Sequence, residues 1–512
     1  MVAKPLLAGM FGALLALSVG PACAQNAPPL RVGMNADPDV LDMTVSTNPP
    51  QGLATLINVY DTLDETDAKG NMSPGLATSW DIEDGGKAIT FHLRHGVTFH
   101  SGDAFTADDV LWSHNRLLKK TWWYGIFARF VDKVVAVDPY TVKFMFRTPD
   151  SEFLPVHALI IGSKRYFDRV GEAEFAKHPV GTGPYRIVDY KPAQYLDLAA
   201  ADGYWGEKPQ VRRAHFVFIG DDNTRVATLR SGQVDLIMAT PYAACDELKA
   251  AGYDEVKLPV HPTQSIQMQF ANTHTPWHDL RIRQAMAYAI DKDAIVKGLL
   301  HGVPTDYPRL SPDEIGYDPN LKDYKYDPAK AKRLETAAGY PDGFTMPLYY
   351  STGVYYGTEE TATAVALYLK QNLNVTSNVK GIQLIELLQM LGRIGRDPKA
   401  EYVGVAGIPV ANLLTPLEGV ELYYTGPRAI YRNDELNKLL AEADAAFEPA
   451  RQAPLVARMM AIEQNDLSTI TLWQYVDVYA MKKGILYDPG RHGLEVVFLP
   501  RVRQGTTVGT AK

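Results

Sequence analysis

Gly181, Thr182 and Gly183 stand in the stretch HPVGTGPYRI (178–187), and a Gly-x-Gly turn beside a strand is one way to hold a phosphate. The stretch lacks the Lys-Ser/Thr pair of a P-loop and the third glycine of a dinucleotide turn. Pro184 follows Gly183 directly, where a phosphate cradle wants free N–H donors and a helix start. A rigid turn feeding the strand YRIVDY is expected instead, its prolines fixing φ and its glycines supplying unusual φ. Of 12 histidines, His92, His95 and His100 lie close together. On a strand, His92 and His100 share a face but are spread at about 3.3 Å per residue, and His95 points to the other face. That spacing disfavours a metal site.

HExxH, CxxC and GxSxG are absent, and with them the common zinc, redox and hydrolase signatures. Carboxylates are plentiful, yet no spacing singles out a general acid/base pair. No cofactor, no metal and no catalytic residue is expected. The aromatic residues are more suggestive: 28 Tyr and 7 Trp, clustered at TWWYGIF (with Trp122, Trp123 and Tyr124), YYSTGVYYG, ELYYTG and LWQYVDVY. Each cluster reads either as core or as the wall of a ligand cleft.

The elements that must position these residues follow from periodicity. Ile89, Phe91 and Leu93 alternate with polar neighbours as in a half-buried strand, and Thr106 is placed to cap the helical pattern ADDVLWSHNRLL. VVAVDPYTVKFMFRTP reads as a hairpin around Asp138-Pro139, and YRIVDYKPAQYLDLAA as a strand pair. DDNTRVATLRSGQVDLI reads as a helix closed by Gly232 and followed by a strand. DLRIRQAMAYAIDKDAIVKGLL reads equally as one long helix or two. Pro328 and Gly339 bracket a further helix. TMPLYYST, EETATAVALYLKQNL and SNVKGIQL then give the strand–helix–strand order of an α/β protein. ITLWQYVDVYAMKKGI is β-rich.

A chain of 512 residues is too long for one ordinary core, so two or three domains are expected. Hydrophobic residues at 46% and charged residues at 21% suit a soluble globular protein. With 59 acidic against 51 basic residues the net charge is -8, which argues against a nucleic-acid partner. Lys4, the apolar run PLLAGMFGALLALSVG and the small residues Ala22 and Ala24 read as a signal peptide cleaved after Ala24. Gly20 stands where a lipoprotein site at Cys23 usually has leucine. Cleavage would leave Cys245 as the only cysteine and allow no internal disulfide.

The landmarks PGLATSWDIEDGGKAITFHLRHGVTFHSGDAFTADDV, HPVGTGPYRI, YWGEKP, NTRVATLRSGQVDLI, ANTHTPWHDLRIRQAMAYAIDKDAI and YDPAKAKRLETAAGYPDGF occur in this order between about Leu41 and Tyr340. As an ordered set they resemble the family 5 extracytoplasmic solute-binding proteins, the peptide- and nickel-binding class that serves ABC importers. The resemblance implies an α/β, two-lobed periplasmic-binding-protein fold with an extra subdomain in the first lobe and a hinge between lobes. It implies residues 1–24 as signal peptide, 25–268 and 481–512 as first lobe with its subdomain at about 74–182, and 269–480 as second lobe. The chain is expected to cross between lobes near IQMQFANT and TLWQYVDVYAM. In this family the Val-Gly-Thr-Gly-Pro turn is scaffold.

By the same resemblance, a periplasmic monomer captures a small solute between its lobes and delivers it to a membrane permease. The ligand-binding residues implied are Thr47, Asn48, Arg393, Arg396, Asn412, Trp473 and Tyr475. Arg393 and Arg396 in GRIGRDP could pair with a carboxylate or phosphate, or serve as solvated charges at a helix end. Peptide-binding members carry an aspartate that meets the peptide amine, and here Gly407 takes that position. No carboxylate stands between Val403 and Leu414. A non-peptide organic solute is therefore the expected ligand, with a peptide or a metal chelate as alternatives and a secreted hydrolase as the reading from another class.

Overall fold

The computed structural model describes residues 28–46, 49–66, 72–121, 124–154, 159–304, 310, 312, 314–321, 323–352, 356–397, 399–406, 417, 420, 429–489 and 497–504. The expected signal peptide lies outside them, as do Trp122 and Trp123. In chain order the strands are β1 Leu30–Met34, β2 Asp64–Thr66, β3 Met72–Pro74, β4 Ala77–Glu83, β5 Ala88–Leu93, β6 Val131–Asp138, β7 Thr141–Phe146, β8 Tyr185–Lys191 and β9 Tyr195–Ala200. There follow β10 Arg213–Phe218, β11 Leu236–Ile237, β12 Asp254–Gln269, β13 Thr345–Thr352, β14 Thr376–Gln383, β15 Tyr402–Ala406, β16 Thr469–Met481, β17 Ile485–Tyr487 and β18 Val502–Gln504.

One sheet runs through the molecule in the order β14-β13-β15-β12-β16-β11-β1-β10-β9-β8. Its two long central members, β12 and β16, pair antiparallel and belong to both ends. Nearly every residue of β16 is buried, as expected of a strand covered on both faces. On one side of this pair lie β11, β1 and β10, with a core of Val32, Met34, Leu196, Phe216 and Leu236. On the other side lie β15, β13 and β14, whose two faces carry separate cores. Ile266, Val403 and Leu348 pack under the helices Leu280–Ala289 and Thr358–Leu373, while Tyr402 and Ile382 pack with Leu387, Leu439 and Val456.

The four-stranded antiparallel sheet β4-β5-β7-β6 makes a subdomain of its own. Its core joins Phe91, Phe144 and Leu93 to Val110 and Leu117 of the helix Ala107–Lys120. Asp109 Oδ2 accepts the Thr106 N–H at 2.9 Å, which closes the first turn of that helix. The stretch that reads as one helix or two forms two, Leu280–Ala289 and Lys292–Leu299, the second capped by Asp291 accepting the Ala294 N–H at 2.9 Å.

The turn HPVGTGPYRI is scaffold, by a mechanism other than the one expected. Neither Gly181 nor Gly183 has positive φ. Both lie flat against the backbone of Val59, where a Cβ on either would collide with Val59 carbonyl atoms. Gly183 N–H donates to Val59 O at 3.0 Å, Tyr185 N–H to Asn58 O at 2.9 Å, and Gly183 O meets His100 Nε2 at 2.9 Å. The glycines permit close approach rather than unusual φ.

Candidate ligand-binding site

The strands of the two ends run toward each other. β1, β10 and β11 are parallel to one another, and so are β13, β14 and β15. β11 is antiparallel to β16, with Ile237 opposite Ala480, and β15 is antiparallel to β12, with Ala406 opposite Ser265. The carboxyl ends of both sets therefore converge on the middle of the β12–β16 ladder. There the pairing breaks: Pro259 faces Val476 and Thr263 faces Gln474, with Val260–Pro262 on one strand against Tyr475 alone on the other. A crevice outside converging strand carboxyl ends is where open α/β sheets bind ligands.

Hydroxyls, amides and rings gather at that break. The Tyr475 hydroxyl donates to Gln264 Oε1 and lies 3.4 Å from Thr358 Oγ1. Its ring meets Trp473 at 4.3 Å between centroids and 63°. Trp473 passes close to Gly357, the cap residue of the helix Thr358–Leu373, whose φ is +71°. Tyr242, in the turn after β11, accepts the Val476 N–H at 3.1 Å and donates to Val476 O at 2.9 Å. Its ring lies 4.9 Å from that of Tyr356, in the turn before Thr358. That pair bridges the loops of the two ends. Trp473 Nε1, Gln264 Nε2, Ser265 Oγ, Ser351 Oγ and Thr240 Oγ1 are buried with no hydrogen-bond partner among the described residues. Each such group costs about 1–3 kcal/mol if left unmet.

Two buried arginines shape the first-end loops. Arg225 donates to Met238 O at 3.1 Å, Ile219 O at 2.8 Å and Ala239 O at 2.6 Å, tying together the chain after β10 and β11. Arg116 of the subdomain donates to Asp42 Oδ2 at 2.8 Å and Thr44 Oγ1 at 2.8 Å, fixing the loop after β1. Burial pushes the Cys245 thiol up to about 12, so it is a poor nucleophile there.

Of the residues implied by the sequence, Trp473 and Tyr475 stand at the break, both buried. Arg393 is exposed in the last turn of the helix Leu384–Ile394 and Arg396 is exposed just after it, and neither makes an ion pair among the described residues. Thr47, Asn48 and Asn412 lie outside the described residues, as does Gly407. Arg225, Tyr242, Gln264 and Thr358 were not singled out by sequence. Arg225 alone left a signal, a charge four residues before Leu229 on the buried stripe of its helix. His92, His95 and His100 have separate partners, Asp81, Tyr140 and Gly183. Among the described residues no three His, Cys, Asp or Glu side chains group to hold a metal, and no helix is long and apolar enough to cross a membrane.

Comparison with known proteins gives the family and the fold. The model of the bacterial extracellular solute-binding proteins, family 5 (middle), matches residues 71–389. Heme-binding protein A of Haemophilus influenzae is 29% identical over 434 residues, covering 77% of this chain and 77% of the relative. The dipeptide-binding protein of Escherichia coli is 32% identical over 305 residues, covering 54% of this chain and 56% of the relative. Among solved structures, HbpA2 of Haemophilus parasuis superposes with a TM-score of 0.78 at 22% identity, over 93% of this chain and 99% of the other.

Proposed function

The chain belongs to the bacterial extracellular solute-binding proteins of family 5, and from that footing we propose that its solute sits in the crevice at the broken β12–β16 ladder. It is a periplasmic, two-lobed substrate-binding protein that captures a small solute for the permease of an ABC importer. The observation that carries the placement is the convergence of β1, β10 and β11 with β13, β14 and β15 on one break. A pairing break in the two strands that, among the described residues, are common to both ends is the natural hinge, since few ladder bonds resist bending there. We set the lobe division at Val260–Pro262 and Tyr475, earlier on both strands than residues 268/269 and 480/481.

In this reading the unmet groups of Trp473, Gln264, Ser265 and Ser351 face polar atoms of the solute or waters that accompany it. Tyr475 and Trp473 form the hinge floor, while Thr47, Asn48 and Asn412 complete the walls. Arg393 and Arg396 stand beside Asp397, whose carbonyl accepts from Gln269 Nε2 at 3.3 Å at the amino end of β15, and are solvated charges away from the crevice. The solute is an organic molecule other than a free peptide. Relatives are named for heme and for dipeptides, and this chain has no carboxylate between Val403 and Leu414 to meet a peptide amine. An ammonium buried without a partner costs several kcal/mol. The protein acts as a monomer, without catalysis, after removal of residues 1–24.

Native mass spectrometry of the protein purified from a rich host tests this. A retained small molecule of non-peptide mass is the expected result. A retained peptide would overturn the inference from Gly407 while leaving the binding role intact.

A further inference from the structure

Away from the crevice a second contact joins the two lobes. The helices Asp434–Asp444 and Pro449–Asp466 belong to the second lobe, packing with Ile382, Leu387 and Tyr402. The junction between them rests on the subdomain of the first lobe. Ser151, in the turn after β7, donates its N–H to Asp444 O at 2.9 Å and its hydroxyl to Ala443 O at 3.2 Å. Gln452 Nε2 donates to Ser151 Oγ at 2.9 Å. Phe447 inserts into the subdomain core against Gly86, where any Cβ would strike its ring. Ser151 and Gln452 are buried, so water is excluded from these bonds.

Carboxyls crowd this contact. Asp150 and Glu152 are buried on the subdomain side, and Asp444 faces Asp150 from the second lobe with its Oδ1 lacking a hydrogen-bond partner among the described residues. Burial first and the neighbouring Asp150 charge second raise Asp444 to about 7, and burial raises Asp150 to about 6. Arg129 is the cation that offsets both, whereas Glu448 and Arg451 of the second lobe are exposed to solvent. Two acids sharing one cation in a dry contact do not both ionise readily.

We propose that this contact is a protonation-linked latch, in which Asp444 and Asp150 are positioning residues whose protonation holds the lobes closed over the crevice. The latch rests on the two-lobed reading above. Opening returns both carboxyls to water, where they titrate near their ordinary value of about 4. Their pKa values are raised in the closed state, so closure is fully favoured below about pH 4 and that advantage is lost as pH rises through about 6 to 7. One proton changes the closed-to-open ratio by at most about tenfold per pH unit.

Small-angle scattering on the full chain, stripped of solute by unfolding and refolding, tests the latch between about pH 5.5 and 8.5. The expected result is a radius of gyration that grows as pH rises in the wild type and stays small throughout in Asp444→Asn. Gln452→Ala should be more open than wild type at the acid end. Asp150→Asn serves as the second variant should Asp444→Asn fail to refold. A wild-type radius independent of pH, or an Asn variant that follows the wild type, overturns the latch. Neither result bears on the solute, which mass spectrometry tests separately.

Discussion

Arg116 Nη2 lies 2.8 Å from Asp42 Oδ2, an ion pair between residues 74 apart in which the Asp42 side chain is fully buried. It ties the subdomain helix to the loop that leads from β1 toward Thr47 and Asn48. Arg116→Ala would leave Asp42 as an unpaired buried charge, and a loss of about 3–5 kcal/mol is expected. Urea unfolding measures it. Lys120→Ala is the control, since Lys120 pairs with Glu172 in solvent and should change stability by no more than about 1 kcal/mol.

Gly181→Ala forces a Cβ into the Val59 carbonyl, and backbone on both sides has to move. The expected cost is about 1–3 kcal/mol or more, seen as a lower melting temperature. Gly203→Ala meets nothing within 4 Å and should be neutral or slightly stabilising. Equal losses in the two variants would refute close approach as the reason for the first glycine.

Asp61 accepts from Trp205 Nε1 at 2.8 Å and Thr182 Oγ1 at 2.9 Å, yet burial raises it to about 7. Its folded pKa lies above the unfolded value, so the stability it contributes is complete below about pH 4 and is lost as pH rises toward 7. Urea midpoints of wild type and Asp61→Asn should therefore diverge between about pH 5 and 8, with the variant flatter. Parallel profiles would show that Asp61 titrates normally.

Arg225→Met would strip three carbonyls of their shared donor at the carboxyl ends of β10 and β11. A loss of about 1–3 kcal/mol is expected. The more telling readout is hydrogen exchange, which should quicken at Thr240, whose N–H donates to Val478 O near the break in the β12–β16 ladder. Unchanged protection there would mean that Arg225 stabilises its helix without shaping the crevice.

Local elements were legible because helix and strand periods need only near neighbours. The β6–β7 hairpin, the Thr106 cap and the parallel pair β13 and β14 around the helix Thr358–Leu373 all stand where pattern placed them. The family was also legible, because its landmarks keep their order along the chain. The role of Gly181 and Gly183 was half legible: the turn showed in the composition, the approach of Val59 did not. Sheet order decided the rest. It sets Gln264 opposite Trp473, brings Asp42 to Arg116 and Asp444 to Asp150, and breaks one ladder where two sets of strand ends meet. None of these pairings repeats with a period, so the linear sequence carries no trace of them. They arise only when segments distant in the chain are laid side by side, and burial then fixes which charges and hydroxyls lose their water.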